Sequence, residues 1–146
     1  MKQLSRKAED YLEAIYNISL EKGYAKTKNV ALELRITPPS VVEMFRKLDS
    51  MGLINYRRYE GVTLKPKGEE IAKIIKYRHD TLKKFLILIS VREEIADKDA
   101  CIMEHELNSE TIEQIKLFVD FLDSQFYKPD TLALFKSFSE AKQKKK

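Results

Sequence analysis

The hydrophobic period of this chain changes at one place. Over residues 53–68, LINYRRYEGVTLKPKG, apolar and charged residues alternate in the two-residue period of a β-strand, with Glu60-Gly61 as the turn. On either side, apolar residues recur three and four apart, the period of a helix. The pattern predicts three short helices, then a hairpin that projects Arg57, Arg58 and Tyr59, then a longer helical run.

The spacing places the first helix after Ser5, a good N-cap, with Leu12, Ile15, Tyr16 and Ser19 along one face and Gly23 at its end. A second, short helix is expected to be capped by Thr27, to turn Val30, Ala31 and Leu34 inward, and to stop at Arg35-Ile36. Thr37 caps the third, whose first positions hold Pro38 and Pro39, where a missing amide hydrogen costs nothing. Val41, Val42, Phe45, Leu48 and Met51 supply its apolar side before Gly52. Past Pro66 and Gly68 a long helix is predicted, with Ile71, Ile74, Ile75, Leu82, Phe85, Leu86 and Ile89 at helical spacing. Two more follow, over 93–106 and from Ser109 to about Gln125, and Lys128-Pro129-Asp130 breaks the pattern. TLALFKSF adds a turn or two. The expected organisation is mostly α: a winged helix-turn-helix over 1–70, an all-helical second domain over 71–141, and a disordered basic tail over 142–146.

Composition narrows the function classes. With 43% hydrophobic and 34% charged residues the chain reads as soluble and globular; no apolar run approaches the roughly 20 residues of a membrane span, and no secretory signal opens it. The expected location is the cytoplasm, without a membrane partner. A single cysteine, Cys101, rules out an intrachain disulfide. Residues 1–75 hold 14 Lys or Arg against 10 Asp or Glu, whereas 76–141 hold 9 against 13. The first half is where phosphate contacts are expected and the second where a cation is.

Three helices followed at once by a basic hairpin is the order of a winged helix-turn-helix, in which the third helix enters the major groove of double-stranded DNA. The candidates facing DNA are the residues off its apolar stripe, Thr37, Pro39, Ser40, Glu43, Arg46 and Lys47, with Arg57 and Arg58 on the wing. In the acidic half, CIMEHE puts Cys101, Glu104 and His105 three and four apart on one helical face: a thiolate, a carboxylate and an imidazole that together suit a borderline or softer cation. Asp10 and Glu13, three apart on the first helix, and His79, one of only two histidines, are further candidate ligands.

The combination of Glu9-Asp10-Tyr11 with Glu13, Tyr77-Arg78-His79 and Glu104-His105, in register over residues 5–125, resembles the diphtheria toxin repressor family, in particular its two-domain, manganese-responsive branch. The resemblance implies a homodimeric, cation-activated repressor of metal-ion uptake genes that binds palindromic operators and is not an enzyme. It implies Asp10, Glu13, His79, Glu104 and His105 as metal ligands, with Cys101 at the remaining position, and Mn2+ or Fe2+ as corepressor, Co2+ or Zn2+ being able to substitute. Manganese-responsive members usually carry a glutamate where Cys101 stands, and iron-responsive members a cysteine. Lys83 and Asp97 stand where iron-type members have ligands of an ancillary site, so no separate site is expected there, and an end near residue 146 leaves no room for the third domain of those proteins.

The residues leave other readings open. One is a winged-helix regulator answering to an organic ligand, another a metallohydrolase built on the same carboxylates and imidazoles. A third is a helical dimerisation module whose basic half contacts a protein.

Overall fold

The computed structural model describes residues 4–124 and 130–145. Among them the order is α1 (Arg6–Lys22), α2 (Thr27–Leu34), α3 (Pro38–Ser50), β1 (Ile54–Arg57), β2 (Gly61–Leu64), α4 (Pro66–Leu88), α5 (Glu93–Glu106), α6 (Ser109–Leu122) and α7 (Asp130–Gln143). The chain divides into two units, Met1–Lys76 and Tyr77–Lys146.

In the N-terminal unit α1 starts as the sequence requires: Ser5 Oγ accepts from the Ala8 amide at 3.2 Å, and Gly23 closes the helix at φ 81°. The next cap differs from expectation. Thr27 is already helical, and Lys26 is the N-cap, its amide donating to Asn29 Oδ1 at 3.2 Å. The chain leaves α2 through Arg35 at φ 54°, and α3 opens with Thr37 as N-cap ahead of its two prolines.

The core of this unit forms where α1, α2 and α3 meet the hairpin, and Leu12, Ile15, Val30, Phe45, Leu48 and Ile54 are fully buried in it. Tyr11 meets Phe45 edge-on at 6.3 Å and donates its hydroxyl to the Ser40 carbonyl at 3.4 Å, fixing α1 to the start of α3. Burial, and secondarily the charge of Glu43, raise the Tyr11 hydroxyl pKa above its ordinary value. Two residues expected on the apolar side of α3 lie outside the core. Val42 is half-buried and Met51 exposed; the fully buried residues of α3 are Val41, Phe45 and Leu48, with Met44 packed against them.

The two strands pair antiparallel, Ile54 opposite Leu64 and Arg57 opposite Gly61. Ala25, between α1 and α2, exchanges both backbone hydrogen bonds with Val62, at 3.2 and 2.7 Å, so the hairpin is tied to the helices through the main chain. Tyr59 takes φ 69° at the tip. The long helix begins earlier than the sequence suggests, at Pro66, with Gly68 inside its first turn.

In the C-terminal unit Leu82 and Leu86 of α4 are buried with Ala96 and Ala100 of α5 and Ile112 and Val119 of α6. Ser90 at φ 72° ends the turn after α4, and the Val91 amide returns to the Leu86 carbonyl at 2.9 Å. Ile89, expected on the apolar side of the long helix, is exposed, and so are Leu117, Phe118 and Phe121 on α6. Ile74 in the N-terminal unit is exposed likewise. The helix α7 buries none of its residues, exposes Leu134, Phe135 and Phe138, and runs to Gln143, into the tail that composition reads as disordered. Gln125 and the break at Lys128-Pro129 lie outside the described residues.

No helix is long and apolar enough, among the described residues, to cross a membrane.

Candidate metal centre and nucleic-acid interface

The candidate ligands of the C-terminal unit gather around one carboxylate. Glu104, in the last turns of α5, has a side chain only 1% exposed, an unusual burial for an acid. His79 of α4 sets Nδ1 3.0 Å from its Oε2. His105 Nε2 lies 3.1 Å from the other oxygen, Oε1, but off the direction a hydrogen bond requires, and among the described residues Oε1 accepts none. Cys101, half-buried, stands one turn before Glu104 on α5. The spacing read in the sequence and the approach of α4 to α5 together bring His79 and His105 to one buried carboxylate.

Asp10 and Glu13 belong to the N-terminal unit. They sit on one face of α1, both half-buried, and flank Tyr11 and Leu12, which turn into the core. The same four residues thus anchor the helix with their middle pair and leave two carboxylates at its edge.

Sequence reasoning did not assign a role to Asp97. Its Oδ1 lies 2.9 Å from Nε2 of His79 and 3.4 Å from Nζ of Lys83, and Lys83 also lies 3.5 Å from Glu93. The hydrogen bond with His79 is the largest influence on the Asp97 carboxyl, burial opposes it, and the hydrogen bond with Lys83 adds to it, so that the carboxyl is held below the usual carboxylate range. The signal was present in the spacing: Asp97 precedes Cys101 by four and Glu104 by seven, which is one face of α5.

On the N-terminal unit, Thr37, Pro39, Glu43, Arg46 and Lys47 are exposed and Ser40 half-buried on the outer side of α3. Thr37 and Ser40 join their hydroxyls at 3.0 Å. Val42, displaced from the core, lines a shallow groove with Pro38, Pro39, Glu43 and Arg46. A second groove runs between the wing and the start of α2, lined by Lys26, Lys28, Val42, Tyr56, Arg57 and Arg58. Lys26 and Lys28 are basic residues the sequence did not single out, because only the Ala25–Val62 bridge brings the start of α2 beside the wing. At the wing tip Arg57 pairs with Glu60 at 3.6 Å and Arg58 lies over the Tyr59 ring at 5.0 Å.

Residues 3–62 match the family model of the iron dependent repressor N-terminal DNA binding domain, and residues 65–130 that of the iron dependent repressor metal binding and dimerisation domain. The HTH-type transcriptional regulator MntR of Bacillus pumilus is 41% identical over 115 residues, which are 79% of this chain and 80% of that protein. Among solved structures, the metal-dependent transcriptional regulator MtsR superposes with a TM-score of 0.70 at 29% identity, over 78% of this chain and 54% of that one. The manganese regulator SloR gives 0.68 at 25% identity, over 78% and 54%. The chain thus spans about half the length of these two structures. Matched over both units, the chain belongs to the iron dependent repressor family and is one of its metal-dependent, DNA-binding transcriptional repressors.

Proposed function

We propose that this protein is a cytoplasmic homodimer that represses metal-ion uptake genes, binding a palindromic operator when Mn2+ or Fe2+ is bound as corepressor, with Co2+ or Zn2+ able to substitute. The ligands are Asp10, Glu13, His79, Cys101, Glu104 and His105. The observation that carries the reading is the Glu104 carboxylate, buried and with one oxygen that accepts no hydrogen bond among the described residues. A buried anion left so is costly unless a cation compensates it, and the imidazole nitrogens and the thiol nearby are the donor types that a divalent transition metal takes. The residues therefore fit the ion. When bound, it supplies the positive charge that lets these acidic and imidazole groups coexist.

The chain's own residues do the rest. Asp10 and Glu13 are carried by the DNA-binding unit and the other four by the dimerisation unit, so joining both sets in one coordination shell restricts the spacing of the two reading helices in the dimer. Sites that favour one spacing shift the population toward it. Helix-turn-helix dimers read half-sites about 34 Å apart. On the DNA side, Thr37, Pro39, Ser40 and Glu43 face base edges from α3. Arg46 and Lys47, with Arg57 and Arg58 of the wing, neutralise phosphates. Cys101 sets the selectivity, since a thiolate favours Fe2+ over Mn2+ relative to a carboxylate.

The test is binding of a palindromic promoter duplex, followed by fluorescence anisotropy and titrated with each metal and with chelator. We expect tight binding with Mn2+ or Fe2+, reversal by chelator, and a shift of preference toward Mn2+ in Cys101→Glu. Metal-independent binding sinks the reading. In the same assay Arg57→Ala with Arg58→Ala is expected to flatten the slope of log K against log salt by about 4 for the dimer, about one for each phosphate that the two arginines of each of the two wings no longer neutralise. An unchanged slope removes the wing from the interface.

A further inference from the structure

The imidazole of His79 is held from both sides. Nδ1 faces the buried Glu104 at 3.0 Å and Nε2 faces Asp97 at 2.9 Å. The two carboxylates differ in surroundings: Glu104 is buried with an oxygen that accepts no hydrogen bond among the described residues, whereas the Asp97 side chain is 56% exposed and has Lys83 Nζ 3.4 Å from the same oxygen that meets His79. Lys83 in turn lies 3.5 Å from Glu93. A four-member chain, Glu93 to Lys83 to Asp97 to His79, thus ends on the nitrogen that points away from Glu104.

We propose that Asp97 is a positioning residue for metal binding, keeping the His79 proton on Nε2 so that Nδ1, on the Glu104 side, is the ligating atom, with Lys83 holding the Asp97 carboxylate in place. The inference rests on the metal reading above. A neutral imidazole has one donor and one acceptor nitrogen, and the group bonded to the first decides which nitrogen is left for an ion. A carboxylate on the outer nitrogen also orients the ring and makes the inner one a better donor. The ammonium of Lys83 already supplies positive charge beside Asp97 Oδ1. Like-charge repulsion opposes a second cation there, so the Asp97 carboxylate serves the imidazole and not an ion of its own.

The experiment uses the full-length chain, with Zn2+ as a diamagnetic probe. Affinity is measured by competition with a fluorescent chelator, and long-range 1H–15N spectra of labelled histidine identify which His79 nitrogen is bound. Wild type is expected to ligate through Nδ1 with a protonated Nε2. Asp97→Ala is expected to weaken Zn2+ binding by about 10–100-fold and to lose the single Nε2–H signature, whereas Asp97→Asn, which keeps an acceptor oxygen, recovers the signature and part of the affinity. Lys83→Met is expected to fall between wild type and Asp97→Ala. Because Asp97 is exposed, circular dichroism should show all variants folded.

Undiminished affinity in Asp97→Ala overturns this inference alone, as does ligation of wild type through Nε2 or a second ion bound by Asp97. A wild-type chain that binds no Zn2+, Mn2+ or Fe2+ overturns the metal reading and this inference together.

Discussion

Glu104→Gln is expected to abolish the response to metal while leaving the protein folded. The substitution keeps the shape of a side chain that is 1% exposed and removes its charge, so packing around α5 is preserved. Without metal the variant should be as stable as wild type or slightly more so, since a buried charge has been replaced by a neutral amide whose NH2 can reach His79 Nδ1, 3.0 Å from the present Oε2. With metal the order reverses. Wild type gains stability from an ion that binds only the folded chain, about 2.7 kcal/mol at a hundredfold excess over Kd, and the variant gains none of it. Operator affinity follows, because a coupling of about 1–3 kcal/mol between effector and DNA corresponds to about a 5–150-fold gain that requires the bound ion. Thermal unfolding and DNA anisotropy, each with and without Mn2+, read both effects. A variant that still shows the metal-induced rise in either would remove Glu104 from the site. A variant unfolded without metal would contradict the claim that the carboxylate is a strained guest in this core.

The DNA-binding unit is legible in the sequence because its signals are local. The period change at residue 53, the Ser5 cap, Gly23 and the two prolines each act within a few residues, and each appears in the structure where the pattern places it. The failures are tertiary. Val42 is apolar and at helical spacing, but the buried stripe of α3 is Val41, Phe45 and Leu48, and Val42 instead lines the groove beside the wing. Lys26 becomes an N-cap in place of Thr27 because the chain enters α2 from the Ala25–Val62 bridge, a pairing 37 residues apart in sequence that no local rule detects. In the C-terminal unit the periodicity finds the helices but overstates the core: Ile89, at helical spacing, is exposed, and Leu117 and Phe118 of α6 remain exposed in the single chain. That surplus of apolar surface suits a segment matched to a dimerisation domain. For the site, spacing within α5 grouped Cys101, Glu104 and His105, because i, i+3 and i+4 relations are fixed by the helix itself. It could not pair His79 with Asp97, since that depends on how α4 and α5 pack.

The other large effect is expected from a residue the sequence reads only as punctuation. Gly68 looks like a breaker between the wing and the long helix, yet it lies in the first turn of α4, where a Cβ would stand 2.0 Å from the Leu53 carbonyl oxygen and 2.9 Å from its carbon. Two effects of Gly68→Ala oppose each other. Alanine favours the helix by about 1 kcal/mol. The clash is with backbone, and that backbone is fixed from three directions: the Leu53 amide donates to Leu48 at 3.1 Å, its carbonyl accepts from the Lys65 amide at 3.0 Å, and its side chain is 2% exposed in the core. Relief therefore requires the start of α4 to move off the end of α3 and to give up the Lys65 hydrogen bond. Overpacking of this kind costs about 1–3 kcal/mol and more where neighbours cannot yield. The clash wins, and with the cost at the upper end of that range we expect a net loss of about 2 kcal/mol, read as a fall of about 5 °C or more in the melting temperature. Because Gly68 and Leu53 both belong to the N-terminal unit, DNA affinity should fall as that unit melts. An alanine variant as stable as wild type would mean that α4 can start elsewhere, and that its close approach to Leu53 is not what joins the wing to the helix.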